Sequence, residues 1–259
     1  MAPFDVTYIF LFIPKLLSTI GVTFVIVGGA IVIGVIVGVI VALPRLYHVP
    51  VVKRISQVYV SFFRGTPILI QLFLIYYGLP ELVQGLGINL SKVPVLYFVV
   101  FTYGLNNAAF FSETIRASVT AVDRGQVEAG YSIGMTGWQS LRRIVLPQAL
   151  GIAVPVAANL VIALLKDTSL AFSLGVMELT GKAQSLGTIT QHFIEAYVAL
   201  AVIYLGVSIA LEKLFGVWER RLLRYDLANH RLRDALLWRR ASFRRGGDAI
   251  GMGKEEMSA

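Results

Sequence analysis

The 259-residue sequence contains no cysteine and only three histidines, His48, His192 and His230. Without cysteine the chain has no disulfide frame, no thiolate metal site and no cysteine nucleophile. The histidines are scattered, and no H-E-x-x-H or similar spacing is present. We therefore expect no metal site.

The motifs of nucleotide-dependent enzymes are missing as well. The two Gly-Lys pairs, at residues 181–182 and 253–254, have Val176 and Asp248 where a phosphate-binding loop needs its first glycine. No Ser-His-Asp arrangement or dinucleotide fingerprint occurs. We expect neither an enzyme that hydrolyses ATP itself nor a bound cofactor.

Charged residues make up only 15% of the chain, whereas apolar residues make up 56% and the mean hydropathy is +0.73. These values are typical of an integral membrane protein. We expect one membrane domain over residues 1–217 and a basic cytoplasmic tail over residues 218–259.

The net charge of +8 is segregated along the chain and is not interleaved with aromatic residues, so we expect no nucleic-acid partner. Eighteen of the 23 lysines and arginines lie in residues 45–54, in residues 116–143 and from residue 213 onward. The positive-inside rule assigns these stretches to the cytoplasm. The N-terminus is then outside and the C-terminus in the cytoplasm.

Long apolar segments predict an all-α integral membrane fold with five transmembrane helices. Residues 170–192 are too short and too polar to span a bilayer, so they predict a short outer helix or a re-entrant turn. The predicted spans cover residues 16–44, 55–80, 94–112, 144–165 and 193–215.

Ala30, Gly34 and Gly38 place a small residue at every fourth position of the first span. This spacing lets two membrane helices approach closely. It predicts a helix-packing face, and an interface with a second copy of the chain is the alternative.

Residues 123–147 form a long polar interruption between two apolar segments. Asp123 and Thr136 are good N-caps, each with a glutamine three residues later, and Gly134 is a helix-stop signal between them. The pattern predicts an elbow of two short helices on the membrane surface. An ordinary amphipathic connector is the alternative.

This elbow resembles the EAA loop of ABC-importer permeases. The resemblance rests on Glu128-Ala129-Gly130, on Gly134 six residues after the glutamate, and on the Ile-Val-Leu-Pro sequence of residues 144–147. Gly130 departs from the pattern, which has alanine there, and loosens the helix by about 1 kcal/mol. The resemblance implies that Glu128, Ala129, Gly130, Gly134 and Arg142 couple the chain to an ATPase.

Two further segments resemble the polar-amino-acid uptake branch of that family. They are the Arg-Gly-Thr-Pro sequence of residues 64–67 and the Lys-Asp-Thr-Ser-Leu sequence of residues 166–170. The glycine and proline of the first also predict a kink in the second span, which lipid tolerates only where the freed carbonyls find partners.

The resemblance implies a type I ABC-importer-like permease fold in a bacterial inner membrane. It implies two copies of an ATP-binding subunit on the cytoplasmic side, a second permease copy or a paralogue, and an extracytoplasmic solute-binding protein. The substrate would be a small polar amino acid, with cystine-type uptake the nearest analogy.

A polar stripe on the third span, formed by Tyr103, Asn106, Phe110 and Glu113, is expected to line the bundle interior. Ionisable groups at membrane depth are costly and are candidates for function.

Helical rise places Arg64 and Glu113 about 15 Å, and Asn159 about 18 Å, from the cytoplasmic border. These three residues offer a donor and an acceptor to an amino-acid zwitterion, and Asp167 is assigned to the outer gate of the same substrate site. The alternatives are a structural Arg64–Glu113 ion pair and an Arg64 that extends to the cytoplasmic surface.

Two rival functions remain open at this point. An ion-gradient-driven carrier or channel would work without an ATPase partner but would not need the elbow. A scaffold or sensor without transport is favoured only if the polar stripe is packed and dry.

Overall fold

The computed structural model describes residues 3–47 and 49–220, and within these residues every regular element is helical. The helices are α1 (Val6–Leu17), α2 (Ile20–Leu46), α3 (Pro50–Gly65), α4 (Ile68–Gln84), α5 (Val95–Thr120), α6 (Arg124–Ser132), α7 (Gly137–Leu174), α8 (Leu179–Thr190) and α9 (Phe193–Arg220).

Four of these helices, α2, α5, α7 and α9, are long and apolar enough to cross a membrane. Helices α3 and α4 pass the same test only as a pair, because the chain bends by 112° between them. The five predicted spans therefore correspond to these four helices and one broken pair.

The predicted first span begins in the wrong place. Residues 16 and 17 belong to α1, a separate helix capped by the Asp5 carboxylate, which accepts a hydrogen bond from the Thr7 N–H. The helix ends because the hydroxyls of Ser18 and Thr19 donate to the carbonyls of Lys15 and Leu16. Helix α1 buries Phe12 and Leu16 against α8 and α9.

The elbow also differs from its prediction. Helix α6 is the expected first short helix, but the helix capped by Thr136 does not end before the fourth span. It passes through a π-helical turn at Leu141–Val145, where the Leu146 N–H donates to the Leu141 carbonyl, and continues as α7. A wider turn leaves room for Pro147, which has no N–H to donate.

The region after α7 matches its prediction of a short helix. The last turn of α7 is a 3₁₀ helix over Thr168–Leu174, and Gly175 ends it in the left-handed conformation at φ 81°. Three residues separate Gly175 from the start of helix α8 at Leu179.

Helices α2 and α5 pack against each other at very short range because glycines face large residues. A Cβ atom at Gly38 would lie 2.9 Å from the Phe111 Cβ, and one at Gly34 would lie 3.1 Å from the Phe111 ring. From the other side, a Cβ at Gly104 would lie 2.6 Å from the Ile33 side chain. The small-residue stripe is therefore an intramolecular packing face, as its spacing predicts.

Up to Phe215 the described residues form one compact unit. The predicted basic tail lies from residue 221 onward outside the described residues.

The α2–α5 contact gives a direct test of packing. Gly38→Val should lower the free energy of unfolding by about 1–3 kcal/mol, because the added carbons meet the backbone of α5 and cannot be accommodated by a side-chain rotation. Gly28→Val is the matched control on the same helix, since a Cβ there meets nothing within 4 Å. Thermal unfolding in detergent measures both, and equal melting temperatures would contradict the packing role.

Candidate functional site

The break between α3 and α4 is held by side chains that replace lost helix bonds. Pro67 has no N–H, so the last carbonyls of α3 need other donors. The Phe62 carbonyl accepts from the Thr66 N–H at 3.1 Å and from the Thr66 hydroxyl at 2.8 Å. The Phe63 and Thr66 carbonyls accept from the Gln71 Nε2 at 2.9 and 3.0 Å. The predicted kink is confirmed as a 112° bend. Its freed carbonyls were expected to find donors on neighbouring helices, but most of the donors come from Thr66 and Gln71 of the same broken span.

Gln71 also connects this break to the polar stripe of α5. Its Oε1 accepts a hydrogen bond from the Asn106 Nδ2 at 2.9 Å, and the same nitrogen lies 3.3 Å from the Phe63 carbonyl. The Gln71 residue is only 1% exposed. Sequence reasoning missed this glutamine, although a lone amide four residues after a proline in an apolar run is the available signal.

Arg64 lies at the last turn of α3, directly before the break, and is exposed. The carbon at the centre of its guanidinium group is 5.6 Å from the centre of the Phe110 ring, a cation–π contact with the polar stripe of α5. Among the described residues Arg64 has no carboxylate partner within ion-pair distance. Its donors are therefore available to an anionic group.

Glu113 is not the partner of Arg64. Its Oε2 lies 2.7 Å from the Arg45 guanidinium, and its Oε1 accepts hydrogen bonds from Arg116 one turn further along α5. The alternative of a structural Arg64–Glu113 pair is wrong, because α2 extends to Leu46 and carries Arg45 beside α5. The Arg45 side chain is 12% exposed and the Glu113 side chain 24%, so the pair is shielded from water.

Asn159 and Asp167 both lie on α7, and both are exposed on the isolated chain. They are eight residues apart, a rise of about 12 Å. In the described part of the chain, no hydrogen bond or ion pair joins either side chain to Arg64 or Glu113. The backbone carbonyl of Asp167 accepts from the Tyr103 hydroxyl, which fixes this end of α7 against the polar stripe.

A buried carboxylate, Glu178, caps helix α8 and was not anticipated. It is fully buried, and its Oε1 accepts from the N–H groups of Thr180 and Gly181 at 2.8 and 3.0 Å. The Tyr204 hydroxyl of α9 donates to its Oε2 at 3.3 Å. Burial raises the pKa of the Glu178 carboxyl, while the two backbone donors act in the opposite direction. The glutamate ties α8 to α9 near Asp167.

The predicted caps and stop of the elbow are present with one exception. Asp123 caps α6 through the Gly125 N–H at 2.8 Å, and Gly134 is left-handed at φ 83°. Thr136 and Gln139 form a complete capping box. Gln126 does not close a box with Asp123, because its Oε1 accepts from the Gln148 Nε2 at 2.6 Å and so links α6 to α7.

Gly130 is buried where α6 meets α7. A Cβ there would lie 2.9 Å from the Ile144 Cδ1 and 3.2 Å from the Met135 sulfur. Both are ends of flexible side chains, so glycine permits the closest approach and alanine would need only a small shift. The departure from the family pattern therefore has a local packing reason.

The outer surface of the elbow exposes large apolar side chains beside charges. Ile133 is 80% exposed and Trp138 69%, and Tyr131 is also exposed. Glu128, Ala129 and Arg142 are exposed on the same two helices. Large exposed apolar side chains of this kind on one short elbow indicate a protein or membrane contact.

Comparisons with known proteins give consistent matches. Residues 30–224 match the family profile described as binding-protein-dependent transport system inner membrane component. The chain is 48% identical over 219 residues to the L-cystine transport system permease protein TcyL of Bacillus subtilis strain 168, covering 85% of this chain and 92% of TcyL. It is 42% identical to the probable amino-acid ABC transporter permease protein PatM of Vibrio harveyi, over 85% and 96% of the two chains.

A solved structure of an amino acid ABC transporter with histidines superposes with a TM-score of 0.76 at 31% identity. The match covers 85% of this chain and all of the solved one. The arrangement of the spans is therefore shared along nearly the whole membrane part of the chain.

The contacts of Glu113 and Arg64 predict losses of stability that differ in size. Glu113→Gln should lower the free energy of unfolding by about 1–3 kcal/mol, because it leaves the shielded Arg45 without a carboxylate. Arg64→Gln should cost no more than about 1 kcal/mol, since it removes one exposed cation–π contact. Denaturation of the two purified variants in the same detergent makes the comparison. A larger loss for Arg64→Gln would contradict the assigned pairing.

Proposed function

We propose a function from one premise: the chain belongs to the family of binding-protein-dependent transport system inner membrane components. The predicted resemblance to ABC-importer permeases is confirmed by the family match and by the relatives, and the predicted fold by the superposition. The chain is a permease subunit, and ATP hydrolysis belongs to a separate subunit. The rival without an ATPase partner is thereby disfavoured.

The proposed substrate is a polar amino acid of the cystine type. The observation that carries this is the identity of 48% with a cystine permease, maintained over 85% of the chain. The second match, to a probable amino-acid permease, supports the wider class. The motifs at residues 64–67 and 166–170 point to the same branch of the family.

The proposed assembly places the elbow against an ATP-binding subunit. The exposed Ile133 and Trp138 supply apolar area for that contact, and Glu128 and Arg142 supply charges at its rim. Two ATP-binding subunits, a second permease copy or paralogue and an extracytoplasmic binding protein complete the importer. The N-terminus is outside and the C-terminus is in the cytoplasm of a bacterial inner membrane.

The proposed substrate contacts follow from which charged side chains lack an ion-pair partner among the described residues. Arg64 receives the carboxylate of the amino acid, because no described carboxylate neutralises it. The charge of Glu113 is already matched by two arginines, so Glu113 is a poorer acceptor for the substrate ammonium, and Asp167 keeps its place at the outer gate of the site. Asn159, about 12 Å from Asp167 along α7, offers an amide to the substrate.

Reconstitution tests this function. Proteoliposomes that hold the permease with its ATP-binding subunit and binding protein should take up labelled cystine only when ATP is supplied. The ATP must be on the side of the membrane that carries the ATP-binding subunit. Arg64→Gln should raise the KM by about tenfold or more, because it removes one charge-assisted hydrogen bond to the substrate. Arg54→Gln, an exposed change on the same helix, is the control. Uptake driven by an ion gradient without ATP would contradict the assignment.

The coupling segment gives a separate prediction. Gly134→Val forces a β-branched side chain into a left-handed turn and should lower transport and substrate-stimulated ATP hydrolysis together. Gly134→Asn should keep most of both activities, because asparagine tolerates this conformation. Glu128→Ala should reduce coupling while the permease stays folded. Full transport in both Gly134→Val and Glu128→Ala would make the elbow a simple connector.

A further inference from the structure

The side chain of Gln71 joins both halves of the broken span to helix α5. Its Nε2 lies within hydrogen-bond distance of three acceptors: the Phe63 carbonyl at 2.9 Å, the Thr66 carbonyl at 3.0 Å and the Thr66 hydroxyl at 2.9 Å. Its Oε1 accepts from Asn106 at 2.9 Å. The amide therefore uses both its donor and its acceptor, as a buried polar group must.

These bonds fix the direction in which α4 leaves α3. The Phe63 carbonyl belongs to α3 and the Thr66 carbonyl belongs to the break itself, so one nitrogen holds two points of the bend. Gln71 lies near the start of α4, so the hydrogen bonds from its side chain to Phe63 and Thr66 close only a short loop of the chain. Because Gln71 is only 1% exposed, a bend without this amide would leave the Phe63 carbonyl without its buried donor.

Arg64 lies between the two carbonyls that Gln71 holds. Its guanidinium reaches Phe110, four residues and about one turn after Asn106 on α5. The broken span thus contacts the polar stripe twice on one face, through Gln71–Asn106 and through Arg64–Phe110. The first contact determines where the second can form.

We propose that Gln71 is a positioning residue for import: it sets the 112° bend and thereby holds the Arg64 guanidinium at the α5 face where the substrate carboxylate binds. This inference rests on the proposed function of Arg64. When the amide is lost, the bend takes several angles and Arg64 is correctly placed in only a fraction of molecules. The apparent affinity for substrate falls by that fraction, while molecules that do bind transport normally.

The absence of cysteine makes the bend measurable. Val58→Cys on α3 and Leu82→Cys on α4 place one spin label on each half of the broken span, at exposed positions. The labelled permease is diluted with unlabelled permease before assembly with its ATP-binding subunit and binding protein. Electron–electron double resonance then gives the distance distribution between the two labels.

Gln71→Met keeps the length of the side chain and removes its hydrogen bonds. It should broaden the label distribution and raise the KM for uptake at least fivefold, with kcat changed less than twofold. Gln57→Met, an exposed change on α3, should alter neither. Asn106→Leu is the second variant and should also broaden the distance distribution. It is used alone if Gln71→Met does not assemble. The double variant should be no worse than Gln71→Met, since the two amides act as one unit.

The two readouts separate this inference from the function on which it rests. A narrow, unchanged distribution in Gln71→Met and in Asn106→Leu overturns the positioning role, whatever the transport rates. A broadened distribution with unchanged KM overturns the link between the bend and substrate binding, while the KM of Arg64→Gln decides separately whether Arg64 contacts the substrate. Loss of kcat with unchanged KM would make Gln71 a structural residue only.

Discussion

The structure depends on the rule that a polar group inside a bilayer must find its partner within the protein. The break at Gly65–Pro67 exists only because Thr66, Gln71 and Asn106 supply donors to the carbonyls that the helix no longer satisfies. The same rule places Glu113 beside Arg45 and turns Glu178 toward backbone N–H groups. Each of these three features is accompanied by such a partner.

Close packing of α2 against α5 is the second condition for this arrangement. Gly34 and Gly38 bring the helix axes near enough for the two helices to behave as one unit, and the Arg45–Glu113 pair joins them again near the ends of α2 and α5. Helix α5 then offers its opposite side to the broken span and to α7. This packing holds the polar stripe of α5 in a fixed position, as its contacts with α3, α4 and α7 require. The stripe residues that make these contacts are Phe110, Asn106 and Tyr103.

Hydropathy and local sequence signals predicted those structural features that depend on a single segment of the chain. The apolar runs located the five spans, and Gly134 and Thr136 located the stop and the restart of the elbow. The partner of Glu113 could not be predicted in this way, because it depends on how far α2 extends and on its rotation relative to α5. The role of Gln71 was missed for a related reason: the amide matters only once the geometry of the break defines which carbonyls are left without a donor. The exact substrate contacts of Arg64, Asn159 and Asp167 stay predictions, since they involve groups outside this chain.

The difference between the predicted and observed elbow bears on mechanism. Two separate short helices would have left a hinge between the elbow and the fourth span, and a hinge absorbs movement. Helix α7 instead continues from Gly137 to Leu174, with a π-helical turn at Leu141–Val145 and a 3₁₀ end over Thr168–Leu174. On the proposed function, a continuous helix would carry a shift at Trp138 toward Asn159 and Asp167. Gly134, left-handed at φ 83°, separates α6 from that helix, and the capping box at Thr136 fixes where α7 begins.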